Sequence, residues 1–450
     1  MPKRILHVAS GLVFCASVAS RASAQDAALK PPAPSNAAAS TSSLPSPAAS
    51  PTSPLPSSAN ADETAASKSA AVPSLARVME LAKDKAPAVA VARANVDVGR
   101  SAFVNARLNP LTNPYIEVTG DRGTTGTKDL TVQGSLWLPL EVSGQREKRE
   151  AEAGALVDWA SAEVKATKAE AVAQAVRAYG QLVVAHARIK TLNELAEVAR
   201  SEAAYYQGRL KERDANELDA KLAELEAARH AVALAEGEAD RSRALTAVGV
   251  ATGGTYTDAP ADGPAPPAPK SSAVVTNAAK LPAVQASEAQ ATFHVREKER
   301  AAIEAHTPLN VIVSVGRGDL GETRFGAGLS WSIPVLRVNQ GEQARAEANR
   351  AKAVLERDLK ARIATTTAEG LTKERVEIRK AIDAITTLAE PAAQAAVDAA
   401  VAMEQAGKGD LLRVLTARRD LALLKSRRLD LLQREWAVVG DLVALTGELP

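Results

Sequence analysis

Two long segments of this chain place apolar residues at intervals of three and four, which is the spacing of an α-helix. They run from about 144 to 211 and from about 340 to 406, and Pro391 is the only proline inside them. Each predicts a helix about 100 Å long, at about 1.5 Å per residue. The helical segments that flank the first one, 74–106 and 216–252, are about half as long. Two short helices stacked end to end would match one long helix, which indicates the wall of a helical cylinder. An ordinary two-helix coiled coil is the alternative.

Between these helices the apolar period changes to two. Apolar or small residues alternate with polar ones from Leu130 to Leu138, and again from Leu309 to Val315 and from Phe325 to Ile333. Glycine-rich turns accompany these segments at 123–126 and 318–321. Alternating segments of about ten residues are typical of transmembrane β-strands. Two hairpins lying on a soluble core would give the same alternation, so this alternative stays open.

The same order of elements occurs twice along the chain. Lys85–Val89 recurs 195 residues later as Lys280–Val284, and Pro139 recurs at the same spacing as Pro334. The predicted fold is therefore mainly α with a small β part: an internally duplicated long-helix barrel with four β-strands per subunit. Four strands cannot close a barrel, and an open sheet edge in lipid leaves backbone groups unpaired at several kcal/mol each. If the strands lie in a membrane, several subunits must share the barrel.

Composition divides the chain into segments. The N-terminus has basic residues, a short apolar core and an Ala-Ser-Ala cleavage site, the signature of a Sec-type signal peptide. Cys15 lies in this core, where the bulky Phe14 fits lipoprotein processing poorly. A stretch rich in Pro, Ala and Ser follows and predicts a disordered tether. The predicted segments are a signal peptide at 1–24, the tether at 25–73, the first repeat at 74–253, an inter-repeat linker at 254–272 and the second repeat at 273–450.

Charge and chemistry exclude several classes of function. The 55 Lys and Arg residues nearly balance the 53 Asp and Glu residues, which argues against nucleic-acid binding. Cys15 is the only cysteine, so no disulfide framework or thiol catalyst is expected in the mature chain. The remaining candidate metal ligands lack the paired spacing of histidines in a metal site. They are His186, His230, His294 and His306. We therefore expect no enzymatic activity, no cofactor and no tightly bound metal.

The two strand-to-helix junctions carry a resemblance to a known family. They read LPLEVSGQR at 138–146 and IPVLRVNQGE at 333–342, and a third segment reads GKGDLLRVLTA at 407–417. On these motifs the chain resembles the TolC-like outer-membrane efflux protein family over nearly all of 74–450. The Asn339–Gly341 junction is similar to that of the CzcC-like heavy-metal branch.

The resemblance implies a homotrimer whose subunits together form a twelve-stranded barrel in outer-membrane lipid, with a helical tube extending into the periplasm. It implies the exit duct of a tripartite efflux pump or a type I secretion system, which conducts cargo passively, with heavy-metal cations as a candidate cargo. The implied partners are a periplasmic adaptor (membrane-fusion) protein and an inner-membrane transporter. In a different class, a soluble periplasmic helical adaptor or scaffold is the alternative.

The resemblance also implies that the two helix-to-helix turns contact the adaptor. The turn residues concerned are Glu212, Arg213, Asp214, Asn216, Gly407, Lys408, Gly409 and Asp410. Simple capped turns would explain the Gly and Asp residues equally well. Some relatives close the periplasmic end with acidic residues six and nine positions past the tip glycine; here these positions are Arg413 and Thr416. We predict that Asp219, Arg413 and Thr416 line the constriction and that Asp219 pairs with Arg413; two solvated charges are the alternative.

Overall fold

The computed structural model describes residues 70–122, 130–213, 216–258, 263–268, 277–318, 321–406, 408 and 411–449. The predicted signal peptide, Cys15 and nearly all of the predicted tether lie outside these residues. So do the turn at 123–126 and four tip residues: Asp214, Gly407, Gly409 and Asp410.

Helices and strands follow the predicted order in both halves. The first half contains β1 (Ala70–Ala71), α1 (Leu75–Lys85), α2 (Pro87–Ala106), β2 (Tyr115–Arg122), β3 (Leu130–Leu140), α3 (Gln145–Lys211), α4 (Glu217–Thr252) and β4 (Tyr256–Asp258). The second half contains a 3₁₀ turn (Ala278–Lys280), α5 (Pro282–Ile303), β5 (Leu309–Arg317), β6 (Thr323–Ser330), α6 (Gln340–Ala384), a π turn (Ile385–Ala389), α7 (Glu390–Gln405) and α8 (Leu411–Thr446).

The helices form a wall in which long helices alternate with stacked pairs of short ones. The 67-residue α3 packs against α2 near its beginning and against α4 near its end. The second stacked pair consists of α5 and α8 and packs on another side of α3. Helices α6 and α7 pack in turn against this pair. This arrangement confirms the predicted long-helix fold. In the described part of the chain, no helix combines the length and the apolar character needed to cross a membrane.

The main hydrophobic core lies where α1, α3, α4 and α8 meet. The apolar stripe of α8 faces this core, and its buried members are Leu429, Leu432, Trp436, Val439 and Val443. Trp436 lies directly against Gly180 of α3, where an added Cβ would be 2.4 Å from the indole Cγ. Tyr179 makes an edge-on contact with the same indole, with ring centroids 6.1 Å apart. Glycine at position 180 therefore lets the two helices approach closely.

Prolines account for two features that the sequence prediction lacked. The segment predicted as one helix over 74–106 is two helices, because Pro87 disfavours a helical conformation at the residue before it; Ala86 has φ −58° and ψ 134°. Pro391 does not break the second long helix. Instead the helix widens into the π turn, where the Glu390 N–H bonds to the Ile385 carbonyl, which accommodates the missing N–H of the proline.

One difference from the sequence prediction lies at the end of β6. This strand ends at Ser330 rather than at the predicted Ile333. The Val335 N–H bonds to the Ile333 carbonyl 2.9 Å away, so the chain turns where the strand was expected to continue. Trp331 and Ile333 therefore lie in the junction between strand and helix.

Candidate functional site

The four longer strands form one antiparallel sheet in the order β2-β3-β5-β6. Residues directly opposite one another in such a sheet share a face. Val118 lies opposite Gly134, Gly134 opposite Val315, and Val315 opposite Phe325, so these four define one row of one face. The central rows of this apolar face contain Ile116, Val118, Gly120, Val132, Gly134, Leu136, Leu138, Val311, Val313, Val315, Phe325, Ala327 and Leu329.

The opposite face of the sheet is largely polar. Its members include Glu117, Thr119, Asp121, Thr131, Gln133, Ser135, Ser314 and Arg324. Tyr115 and Trp137 stack on this face with ring centroids 5.4 Å apart, and the Trp137 indole N–H donates to Glu117 over 3.1 Å. The predicted alternation thus produces two faces of opposite character.

The apolar face is uncovered in the part of the chain that the structure describes. Ile116 is 73% exposed, Val118 70% and Phe325 83%. Along β3 the apolar face extends from Leu130 to Leu140, which is about 34 Å at about 3.4 Å per residue. A strand tilted by about 35–45°, as in membrane β-barrels, would cover about 24–28 Å along the membrane normal over this length. Outward-facing apolar bands of membrane β-barrels are about 25 Å tall. The dimensions of this face therefore match those of a lipid-facing band.

The sheet also has two open edges. Strands β2 and β6 are its outer strands, and neither pairs on its outer side with any strand that the structure describes. Open edges invite pairing with another chain. Four strands are half of the smallest known membrane barrels, so the sheet is incomplete as a barrel.

A buried ion pair fastens the sheet to the helical wall at the junction of β3 and α3. Both oxygens of Glu141 accept from Arg149, over 3.0 and 2.7 Å, and both side chains are buried. Arg149 also donates to the Leu108 carbonyl, and the Leu111 N–H donates to Glu141. Burial opposes ionisation of the carboxyl, but the bonds from Arg149 and Leu111 outweigh it and hold the pKa of Glu141 below its usual value.

An amide side chain at each junction, Gln145 in the first half and Asn339 in the second, has a structural role. The Gln145 side chain accepts from the Ser143 N–H and donates to the His306 carbonyl, which joins the junctions of the two halves. In the second half, Asn339 has φ +55°, a conformation that asparagine tolerates better than most residues. Its amide donates to the Ala301 carbonyl over 3.0 Å. The quoted motifs therefore set the geometry where the strands meet the helices.

The two helix-to-helix turns lie at the opposite end of the helical wall from the sheet. Arg213, which occupies the sequence position that Gly407 has in the other turn, adopts φ +64°, the left-handed conformation in which helices commonly end. Asn216 caps α4 by accepting from the Leu218 N–H over 3.2 Å. The Lys408 N–H bonds to the Met403 carbonyl, a typical closing bond at a helix end. Glu212, Arg213, Asn216 and Lys408 are exposed.

The predicted constriction residues lie at this tip. A small apolar cluster of Ala203, Tyr206, Ala220, Ala223 and Leu411 packs the beginnings of α4 and α8 against the end of α3. Asp219 on α4 is half-buried, whereas Arg413 and Thr416 on α8 are exposed. The Thr416 hydroxyl donates to the Leu412 carbonyl of its own helix. The fold thus brings these segments to one end of the helical wall, and the pairing of Asp219 with Arg413 stays a prediction.

A group of charged residues next to the tip was not predicted. The Tyr206 hydroxyl donates to Glu404 over 2.8 Å and joins α3 to α7, and Arg418 pairs with Glu202 to join α8 to α3. Burial raises the pKa of Glu202, and the neighbouring carboxylates of Glu404 and Glu226 raise it further against the opposing charge of Arg418. Tyr206 and Glu404 are 198 residues apart in sequence, so no local pattern signals their contact.

A second group that was not predicted holds part of the inter-repeat linker. Glu435 of α8 is fully buried and contacts two arginines of α6, Arg375 and Arg379. These guanidinium groups also donate to the carbonyls of the linker prolines Pro267 and Pro266, respectively. The neighbouring Trp436 indole donates to the carbonyl of Pro264 over 2.9 Å. The linker segment 263–268 is thus bound to both helices.

Among the residues that the structure describes, no group of three or more His, Cys, Asp or Glu side chains is arranged to hold a metal ion. His294 instead bonds to Glu297 over 2.7 Å, and His230 lies 3.6 Å from Glu226.

Solved structures of outer-membrane channel proteins share the fold of this chain, a wall of long helices that continues into a small antiparallel sheet. CusC, whose structures describe transmembrane channel formation, matches with a TM-score of 0.67 and 15% identity over 83% of this chain and 92% of its own. The outer membrane protein VceC from Vibrio cholerae matches with a TM-score of 0.66 and 14% identity over 83% of this chain and 97% of its own.

The open-state MtrE outer membrane channel of Neisseria gonorrhoeae matches with a TM-score of 0.63 and 17% identity over 82% of this chain and 88% of its own. No family model matches the sequence, and no curated protein matches it significantly. The resemblance predicted from the junction motifs is thus confirmed at the level of the fold.

Proposed function

We propose that this chain is one subunit of an outer-membrane exit duct that works as a homotrimer. The observation that carries the proposal is the four-stranded sheet, with an exposed apolar face about 34 Å long at about 3.4 Å per strand residue and two unpaired edges among the described strands. Three copies joined edge to edge give a twelve-stranded barrel without edges, which satisfies every backbone group in lipid. The helices of the three subunits continue the barrel as a tube into the periplasm.

The duct conducts its cargo passively, so its residues perform no bond chemistry. A periplasmic adaptor protein docks on the helix-to-helix turns, where the exposed Arg213 and Lys408 present positive charge beside Glu212. The adaptor connects the duct to an inner-membrane transporter, and together they form a tripartite efflux pump. The Asn339–Gly341 junction favours heavy-metal cations as cargo, because it resembles that of the heavy-metal branch.

Asp219, Arg413 and Thr416 line the narrow end of this duct. A pair between the half-buried Asp219 and the exposed Arg413 would lie at the surface and contribute only about 0–1 kcal/mol, so it adjusts the opening rather than locking it. Positive charge at Arg413 lowers the local concentration of cations at the constriction.

Membrane fractionation and planar-bilayer recording test the proposed function. We expect the protein to require detergent for extraction, to migrate as a trimer and to produce uniform conductance steps when it is added to a bilayer. A protein that is soluble without detergent and gives no conductance would contradict the proposal and favour the periplasmic scaffold.

A further inference from the structure

The only charged residues on the apolar face of the four strands are two arginines. Arg122 is the last residue of β2 and lies opposite Leu130, and Arg317 is the last residue of β5 and lies opposite Val132. Both are at the end of the sheet farthest from the helices, because β2 and β5 run away from the helical wall. All other positions of this face in the four strands are apolar residues, glycine or threonine. Charge is therefore confined to one border of the apolar face.

Both arginines are exposed, and neither has an ion-pair partner among the residues that the structure describes. The contrast with Arg324 is informative, because Arg324 lies at the same end of the sheet on the polar face and pairs with Glu322. The acidic residues of the strands, such as Asp121, also point to the polar face. Within the described residues, the apolar face thus has two positive charges at its far border that no carboxylate pairs with.

The spacing of the two arginines fits one amphiphilic ligand. They lie two strands apart and one row apart, which is about 10 Å across the sheet and about 7 Å along it. Guanidinium groups bind phosphate through paired, charge-assisted hydrogen bonds. The rows from Val132 towards the helices offer apolar surface on which acyl chains can lie. A lipid with phosphate groups on its headgroup would satisfy both features at once.

We propose that Arg122 and Arg317 form a binding site for the phosphate groups of an anionic lipid in the outer leaflet of the membrane. This inference rests on the proposed function, since only a membrane-embedded sheet presents this face to lipid. The lipid anchors the far border of the barrel at the headgroup level and fixes the depth of the sheet in the membrane.

Native mass spectrometry of the detergent-purified protein tests the site, with diphosphorylated lipid A as the probe. The variant is Arg122→Gln/Arg317→Gln, and the matched control is Arg324→Gln, which removes the same charge from the other face of the same sheet end. Each arginine near an anionic lipid surface contributes on the order of a fivefold change in affinity. We therefore expect lipid A to bind the double variant about 30-fold more weakly than the wild type and to bind the control as the wild type does.

Two further measurements complete the test. The first distinguishes a lipid phosphate from free phosphate, and the second distinguishes a failure of this inference from a failure of the proposed function. We expect inorganic phosphate at millimolar concentration to leave lipid A bound; displacement by phosphate alone would replace the lipid site with a free-anion site. Equal lipid A affinity of the wild type and the double variant, with normal bilayer conductance of both, would overturn this inference and leave the proposed function intact. A protein with neither conductance nor detergent dependence would overturn both.

Discussion

Glu435 of α8 joins this helix to α6, and its replacement by leucine tests how the two helices are held together. The carboxylate is fully buried between the guanidinium groups of Arg375, which is 5% exposed, and Arg379. Glu435→Leu leaves the buried charge of Arg375 without its partner. Breaking a buried ion pair in this way costs about 3–5 kcal/mol. The variant also removes the anion that orients both arginines towards the linker carbonyls of 263–268.

The double variant Glu435→Leu/Arg375→Met separates the cost of the unpaired charge from the value of the pair itself. Replacing a whole buried ion pair by apolar residues of similar volume is often neutral or stabilising. Here the Glu435 Oε2 and Arg375 Nη1 atoms are buried without a hydrogen-bond partner in the described part of the chain, so the pair is imperfectly satisfied. We expect the double variant to recover most of the stability that the single variant loses.

The assay is unfolding of the detergent-solubilised protein in guanidinium chloride, followed by circular dichroism, with proteolysis of the linker as a second readout. Glu374→Leu is the matched control, because Glu374 pairs with Arg434 between the same two helices on their exposed side, over 2.7 Å. Loss of that exposed pair should cost less than about 1 kcal/mol. The reasoning is refuted if Glu435→Leu costs no more than the control, or if the double variant is as unstable as the single one.

Three further predictions concern the core, the junction and the constriction. Gly180→Ala should destabilise the protein by about 1–3 kcal/mol in the same unfolding assay, because the new Cβ would overlap the indole of Trp436. The control Gly370→Ala has no neighbouring atom within 4 Å of its new Cβ and should be neutral or stabilising. The pKa of Glu141 is lowered in the folded protein, so the ionised Glu141 stabilises the fold above the usual carboxyl pKa. This stabilisation is lost as the pH falls through the pKa that Glu141 has in the folded protein. Glu141→Gln should therefore make the stability depend less on pH in the acid range. Arg413→Asp should raise cation conductance in planar bilayers, whereas Arg427→Asp, on nearly the same face of α8 but about 21 Å farther from the tip at about 1.5 Å per residue, should not.

Each of these predictions has a clear contrary result. Equal stability of the Gly180 and Gly370 variants would show that the close approach of α3 and α8 is not required. An unchanged acid limb after Glu141→Gln would assign the acid sensitivity to other carboxylates. Identical conductance of the Arg413 and Arg427 variants would remove position 413 from the constriction.

The features that could be predicted from the sequence are those set by local spacing. The helical period of apolar residues predicted the long helices, because a packed helix turns an apolar stripe such as that of α8 towards a core. The alternation in β3 and β5 likewise gave the two faces of the sheet. The left-handed Arg213 was predictable because its position corresponds to a glycine in the duplicated turn.

The remaining features depend on contacts between distant parts of the chain. Glu435 and Arg375 are 60 residues apart, and Gln145 and His306 are 161 residues apart, so neither contact leaves a periodic signal. The border arginines were missed for a different reason. Their shared face becomes evident only from the strand register, which pairs Arg122 with Leu130 and Arg317 with Val132.

The central claim is that this sheet is one third of a closed barrel, and a disulfide between its two edges tests it most directly. Within one subunit β2 and β6 are separated by three strand spacings, about 14 Å, which is too far for a disulfide. Val118→Cys is combined in turn with Phe325→Cys, Ala327→Cys and Leu329→Cys, and the oxidised proteins are analysed on denaturing, non-reducing gels. We expect a covalent trimer in at least one of these registers. The absence of any cross-link between subunits, or an open-ended ladder of polymers, would contradict the closed trimeric barrel.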